Sequence, residues 1–213
     1  MTQADDSALL VVDIQNGFTS GGRLPVPDGE AVVPMVNRIA RAFNHVVLTQ
    51  DWHPAGHASF ASSHPGRSPF ETITLPYGEQ TLWPDHCVQD THDAAFHPDL
   101  DIPHARLIVR KGYHDAIDSY SAFFAADRIT TTGLAGYLRD HAVDNIFICG
   151  LALDFCVAWT ALDARRLGFT VTVIEDACRA IDLDGSLDKA WQAMLAAGVS
   201  RLPSSRLSPV TTD

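Results

Sequence analysis

Residues 146–168 read IFICGLALDFCVAWTALDARRLG, and the fold is read outward from this stretch. Ile146–Cys149 is short and apolar throughout, which suits a strand covered on both faces of a parallel sheet. A turn through Gly150 follows. Asp154–Leu167 then reads as a helix with Asp154 as its N-cap, stopped by Gly168 just past its end. Apolar runs of the same kind recur at Ala8–Val12, Val46–Thr49, Leu107–Val109 and Thr170–Ile174. Helical patterns fall between them. Val32, Val36, Ile39 and Phe43 share one helical face, Thr132–His141 reads as a short helix N-capped by Thr132, and Leu187, Trp191, Met194 and Leu195 mark a last helix ended by Gly198. Alternating strands and helices predict a three-layer α/β domain with a mostly parallel central sheet and right-handed crossovers.

The chain has 213 residues, 46% hydrophobic and 19% charged, enough for one domain with a large core over residues 1–213 and no need of disulfide staples. Its formal net charge of −11 opposes binding to nucleic acid or to an anionic membrane surface. The start, MTQADDSALLVVD, has neither the basic segment nor the apolar run of a secretory signal, and no stretch approaches the roughly 20 apolar residues of a membrane span. A cytoplasmic protein is therefore expected, with Cys87, Cys149, Cys156 and Cys178 reduced. An apolar surface would suit a homo-oligomer.

Residues 51–106 break the alternation. They are rich in proline and glycine and hold seven of the ten histidines, which marks a functional insertion. In open α/β sheets ligands bind beyond the carboxyl ends of the strands. Asp13, Asp51 and Lys111 stand at such ends, and Cys156 follows the fourth strand inside the first turn of the next helix. A thiol there gains from the helix N-terminus, which predicts a lowered pKa; a small buried hydrophobe is the equal alternative. If Asp13 and Lys111 reach Cys156, the lysine keeps the aspartate ionised and the aspartate takes the thiol proton. Asp51 and His53, in DWHPAGHASF, with His86 in LWPDHCVQ, form a two-histidine, one-carboxylate set suited to Zn, Fe or Mn. His57, His64, His92, His97, His104 and His114 read as surface loop histidines, and His45 and His141 as solvated residues near helix ends. Cys149 and Cys178 read as structural.

Five segments in order, LLVVDIQNGF (9–18), TQDWHPAGHASF (49–60), LWPDHCVQ (82–89), VRKGYHDAIDSYSAF (109–123) and CGLALDFCVAWTALDA (149–164), resemble the nicotinamidase branch of the isochorismatase-like cysteine hydrolases. The resemblance implies a Rossmann-like α/β/α fold and a catalytic triad at Asp13, Lys111 and Cys156. It implies one divalent metal on Asp51, His53 and His86, with Ser59 supporting a metal-bound water in some relatives. It further implies a cis peptide at Leu151–Ala152, an oxyanion site from the Ala152 and Cys156 amides, and a pyridine ring flanked by Phe18, Trp83 and Tyr120. The activity implied is hydrolysis of nicotinamide, and of pyrazinamide, in NAD salvage. A family variant with an extra metal histidine has a differently spaced loop, and the short DWHPAGH spacing resembles the three-ligand type instead, with a contribution of His57 left open. Metal-free hydrolases of the same fold and a non-catalytic scaffold are the alternatives; the metal set and the intact triad argue against them.

Overall fold

In the computed structural model, which describes residues 5–207, the apolar runs lie side by side in one sheet. Residues 1–4 and 208–213, the ends of the expected domain and of the N-terminal reading, lie outside the described residues. The strands are β1 (Ser7–Val12), β2 (His45–Asp51), β5 (Leu107–Lys111), β6 (Asn145–Leu151), β7 (Thr170–Arg179) and β8 (Ser200–Leu202). Their order is β5-β2-β1-β6-β7-β8, and every pairing is parallel. β1 and β2 are buried at every residue, as continuous apolar runs require. The edge strand β5 instead alternates exposed Ile108 and Arg110 with buried Val109 and Lys111. β8 carries no readable pattern, because Ser200 and Arg201 are exposed and only Leu202 is half-buried.

The helices are α1 (Val33–Ala40), α2 (Leu134–Asp140), α3 (Ala158–Arg166) and α4 (Ser186–Ala196). α1 buries Val33, Val36, Ile39 and Ala40, the stripe expected from their spacing. Gly168 and Gly198 sit just past α3 and α4 with φ of +94° and +79°, the left-handed geometry that ends a helix.

Two caps differ from expectation. The first turn after β6, Leu153–Val157, is a π-turn, and α3 starts only at Ala158. Asp154 does not cap it; its carboxylate accepts the N–H groups of Ile181 (3.0 Å) and Asp182 (2.7 Å) and the Ser186 hydroxyl, tying down the link from β7 to α4. Gly133, not Thr132, occupies the cap of α2, although the Thr132 hydroxyl accepts the Leu134 N–H at 3.2 Å.

The chain runs from β1 to β2 and β5 on one side, then returns to β6 on the other side of β1. That reversal opens a crevice at the carboxyl ends of β1 and β6. Close approach there depends on Gly150: a Cβ on it would lie 2.0 Å from the Val12 carbonyl oxygen. The Leu151–Ala152 peptide is cis. The long connection between β2 and β5 contains an antiparallel hairpin, β3 (Thr72–Leu75) and β4 (Gly78–Thr81), whose mostly polar four-residue strands hid it in the sequence. The same connection sends Trp83, Cys87, Ala94 and Ile102 into the main hydrophobic core. Among the described residues no helix is long and apolar enough to cross a membrane.

Candidate active site

Lys111 ends β5 with its side chain fully buried. Asp51 is its direct partner across the β2–β5 pair, so the two side chains leave the sheet on the same face. The Lys111 ammonium pairs with an Asp51 oxygen and with Asp13 Oδ2 at 2.8 Å. It also donates to the Ser119 carbonyl at 3.2 Å and to Cys156 Sγ at 3.3 Å. One buried cation thus faces two carboxylates and a thiol. The carboxylates and the thiol each offer an atom within 4.8 Å of the other two.

Asp13 follows β1 in the left-handed region, φ 49°, a conformation that costs a non-glycine residue energy and is held by its surroundings. Thr49 braces it, accepting the Asp13 N–H at 3.1 Å and donating its hydroxyl to Oδ1 at 2.5 Å. Among the described residues Asp13 Oδ2 is the buried side-chain oxygen with no directional hydrogen bond, and it faces Lys111 only as an ion pair. Burial lifts the Asp13 carboxyl above its ordinary value, more than Lys111 lowers it, and Asp51 adds to the rise. Burial likewise pushes the Cys156 thiol well above its ordinary value despite Lys111. The expectation of a thiol lowered by a helix N-terminus is therefore corrected: the group rests as S–H, because removal from water outweighs the one nearby cation. Burial opposes the charge on Lys111, but Asp13 and Asp51 outweigh it and hold the ammonium far into the alkaline range.

Asp51 turns its other oxygen to a second cluster. Oδ2 lies 3.7 Å from His53 Nε2 and 3.8 Å from His86 Nε2. The Nδ1 atoms of these rings sit 2.9 Å from the Gly112 carbonyl and 2.8 Å from the Pro84 carbonyl. A carbonyl only accepts, so each Nδ1 carries a proton and each Nε2 is the atom turned toward Asp51. Gly112 permits this packing, since a Cβ there would lie 2.4 Å from the His53 ring. Burial, followed by the nearby His53, lowers His86 to about 4 and keeps it neutral. Burial raises the Asp51 carboxyl, but Lys111 and then His53 outweigh it and hold it well below the usual range. Burial opposes charge on His53, but Asp51 outweighs it and raises His53 above its ordinary value, so a cation entering here displaces a proton from that ring. Two imidazoles and an ionised carboxylate around one point fit a divalent cation.

Phe18, Trp83, Tyr120, Asp51, His53, His86, Ala152 and Cys156 all line one cleft. Trp83 stands edge-on to Phe155 at 4.9 Å and to Tyr120 at 6.3 Å. Sequence reasoning missed Leu24, Asp118, Phe155 and Ile181 on the same walls. Phe155 carried the clearest signal, being next to Cys156; the others stand in segments without periodicity.

Two histidine readings are corrected. His57 is fully buried rather than superficial, its ring 4.5 Å from that of His53. Its Nδ1 accepts the Ser59 N–H at 3.2 Å and lies 2.7 Å from Ser59 Oγ, while Nε2 faces the Ile117 carbonyl. Both nitrogens are engaged within the fold, and Ser59 is occupied with His57. His45 is 8% exposed rather than solvated, because it opens β2 inside the sheet.

The family model of the isochorismatase domain matches residues 7–202. The chain belongs to the isochorismatase family. Within this family it is 58% identical to a nicotinamidase of Acinetobacter baylyi over 96% of this chain and 95% of the relative. It superposes on a solved nicotinamidase/pyrazinamidase of Acinetobacter baumanii with a TM-score of 0.96, 59% identity, and coverage of 97% of this chain and 100% of that one. A third isochorismatase-family likeness is the pyrazinamidase of Pyrococcus horikoshii solved in complex with zinc, with a TM-score of 0.76, 35% identity, and coverage of 93% and 99%. The last likeness and the Asp51–His53–His86 donor set together support a divalent metal in this isochorismatase-family chain.

Proposed function

We propose that this protein hydrolyses nicotinamide to nicotinate and ammonia through a thioester on Cys156, and accepts pyrazinamide, which keeps the ring nitrogen and the carboxamide. The observation that carries this reading is Lys111, which touches Asp13 and Cys156 on one side and the metal-type carboxylate Asp51 on the other. The nicotinamidase relatives support the choice of amide.

Asp13 Oδ2 takes the Cys156 proton as Sγ attacks the carboxamide carbon. Proton transfer of this kind is worth about 10²–10⁴-fold. Lys111 stays protonated and balances the negative charge that passes between thiol and carboxylate. The Ala152 and Cys156 N–H groups face the developing oxyanion, each such donor worth about 2.7–4 kcal/mol. Asp13 returns the proton to the departing ammonia, takes one from the water that attacks the thioester, and gives it to Cys156 Sγ as the C–S bond breaks and nicotinate leaves. Phe18, Trp83 and Tyr120 flank the ring and exclude water. Asp51, His53 and His86 would hold Zn, Fe or Mn, which supplies a Lewis acid for the pyridine nitrogen lone pair.

The deciding experiment is ammonia release from nicotinamide by the purified protein before and after chelation. Release should fall on chelation and return with Mn, Fe or Zn. No release with any metal would overturn the reading. His53→Ala should lose bound metal and raise the KM for nicotinamide at least about tenfold. Full metal occupancy in that variant, by elemental analysis, would refute the ligand assignment.

A pH profile tests the proton path. Asp13 must be ionised to act, so at saturating metal kcat/KM falls as pH drops through its value, above the ordinary 3.8. Cys156 rests as a thiol and Lys111 as a cation far above neutrality, so once Asp13 is ionised no further change follows on the alkaline side up to about pH 9. A change of kcat/KM at the alkaline end with no acid limb would mean that a resting thiolate pair, not Asp13, governs the step.

A further inference from the structure

Hairpin β3–β4 turns one side chain fully inward. Gln80 is 2% exposed, whereas its neighbours Gly78 and Glu79 lie in solvent. Its amide is fully committed. Oε1 accepts the Tyr77 hydroxyl at 3.0 Å. Nε2 donates one N–H to the Thr81 carbonyl at 2.7 Å and shares the other between Asp118 Oδ2 at 2.8 Å and the Tyr120 hydroxyl oxygen at 3.1 Å. Trp83 Nε1 donates to that same hydroxyl oxygen at 2.9 Å.

Burying a primary amide is costly unless each bond is met, and an apolar side chain would anchor a hairpin more simply. What the amide adds is direction. Asp118, Tyr120 and Trp83 all line the cleft, while Gln80 stands behind them and does not. Two N–H donors converging on one hydroxyl oxygen restrict how the Tyr120 ring can tilt. Burial, followed by Asp118, also pushes that hydroxyl well above its ordinary value, so its oxygen keeps its own proton while accepting the two N–H groups.

We propose that Gln80 is a positioning residue for the ring-binding wall: through Tyr120, with Trp83, it sets the slot that admits a flat heteroaromatic amide. The proposal rests on nicotinamide being the substrate. Gln80 touches neither Cys156 nor a metal-type ligand, so its loss is read in binding rather than in bond breaking.

The test uses the full-length metal-loaded protein. Gln80→Leu should raise the KM for nicotinamide about tenfold and leave kcat within about twofold. Tyr120→Phe should raise KM similarly, and the double variant no further than the larger single effect, because both act through one contact. A crystal structure of Gln80→Leu should show the Tyr120 ring displaced. An unmoved Tyr120, a fall in kcat at constant KM, or KM effects that multiply would each overturn the proposal. Failure of the unaltered protein to hydrolyse nicotinamide would overturn the function reading instead, and the Tyr120 position is read without turnover. If Gln80→Leu does not fold, Tyr77→Phe removes only the hydroxyl that orients the amide and should raise KM about threefold; an unchanged KM there counts against the proposal.

Discussion

Cys156→Ala lowers nicotinamide turnover by roughly 10⁴-fold or more and leaves bound metal unchanged. The substitution deletes one atom, the sulfur that lies 3.3 Å from Lys111 Nζ. In the proposed reaction Asp13 then has no nucleophile to deprotonate, and the Ala152 and Cys156 amides and the flanking aromatics can only bind the amide. The metal-type residues hold their places by other bonds, His53 and His86 to backbone carbonyls and Asp51 to Lys111, so metal content is independent of the sulfur. Ammonia assays and elemental analysis on one preparation check both halves. Turnover that survives would exclude the thioester route, and metal lost with the sulfur would show that the two clusters are not separable.

Lys111→Met removes the only buried cation that Asp13 and Asp51 share among the described residues. Methionine matches the stem in volume, so packing changes little while two buried carboxylates lose their counter-charge. Breaking a buried ion pair by deleting one partner costs about 3–5 kcal/mol. Urea unfolding of the metal-free variant should show a loss of that order, and a smaller one with metal bound, because the metal then compensates Asp51. Turnover should fall by about 10²–10⁴-fold, since one carboxylate takes up a proton and Asp13 is compromised as a base. A variant as stable as the parent without metal would mean that the two carboxylates do not carry charge in the fold, and Lys111 would then have no charge to balance.

Much of the architecture was legible because its causes are local. A strand covered on both faces carries a continuous apolar run, and Ala8–Val12 in β1, Val46–Leu48 in β2 and Ile146–Cys149 in β6 announce themselves that way. Gly168 and Gly198 mark helix ends because the left-handed turn there favours a residue without a Cβ. Asp13, Asp51 and Lys111 stood out as charges closing apolar strands, and a parallel sheet brings all such ends to one edge. The less legible parts have causes that are not local. β3 and β4 are short and mostly polar, so nothing in GEQT sets Gln80 apart from its exposed neighbours. His57 reads like any loop histidine until Ser59 and Ile117 are seen to enclose it.

The sequence by itself determined the alternation of strands and helices, the edge at which the chemistry-bearing residues collect, and their division into a thiol set and a metal-type set. Only the tertiary structure decided that the two sets share Lys111, because strand register alone makes Asp51 its cross-strand partner. It also decided that Cys156 rests as a thiol. A pKa follows from how much water and charge surround a group, and for Cys156 both are set by segments far away in the chain, with burial outweighing the lysine beside it.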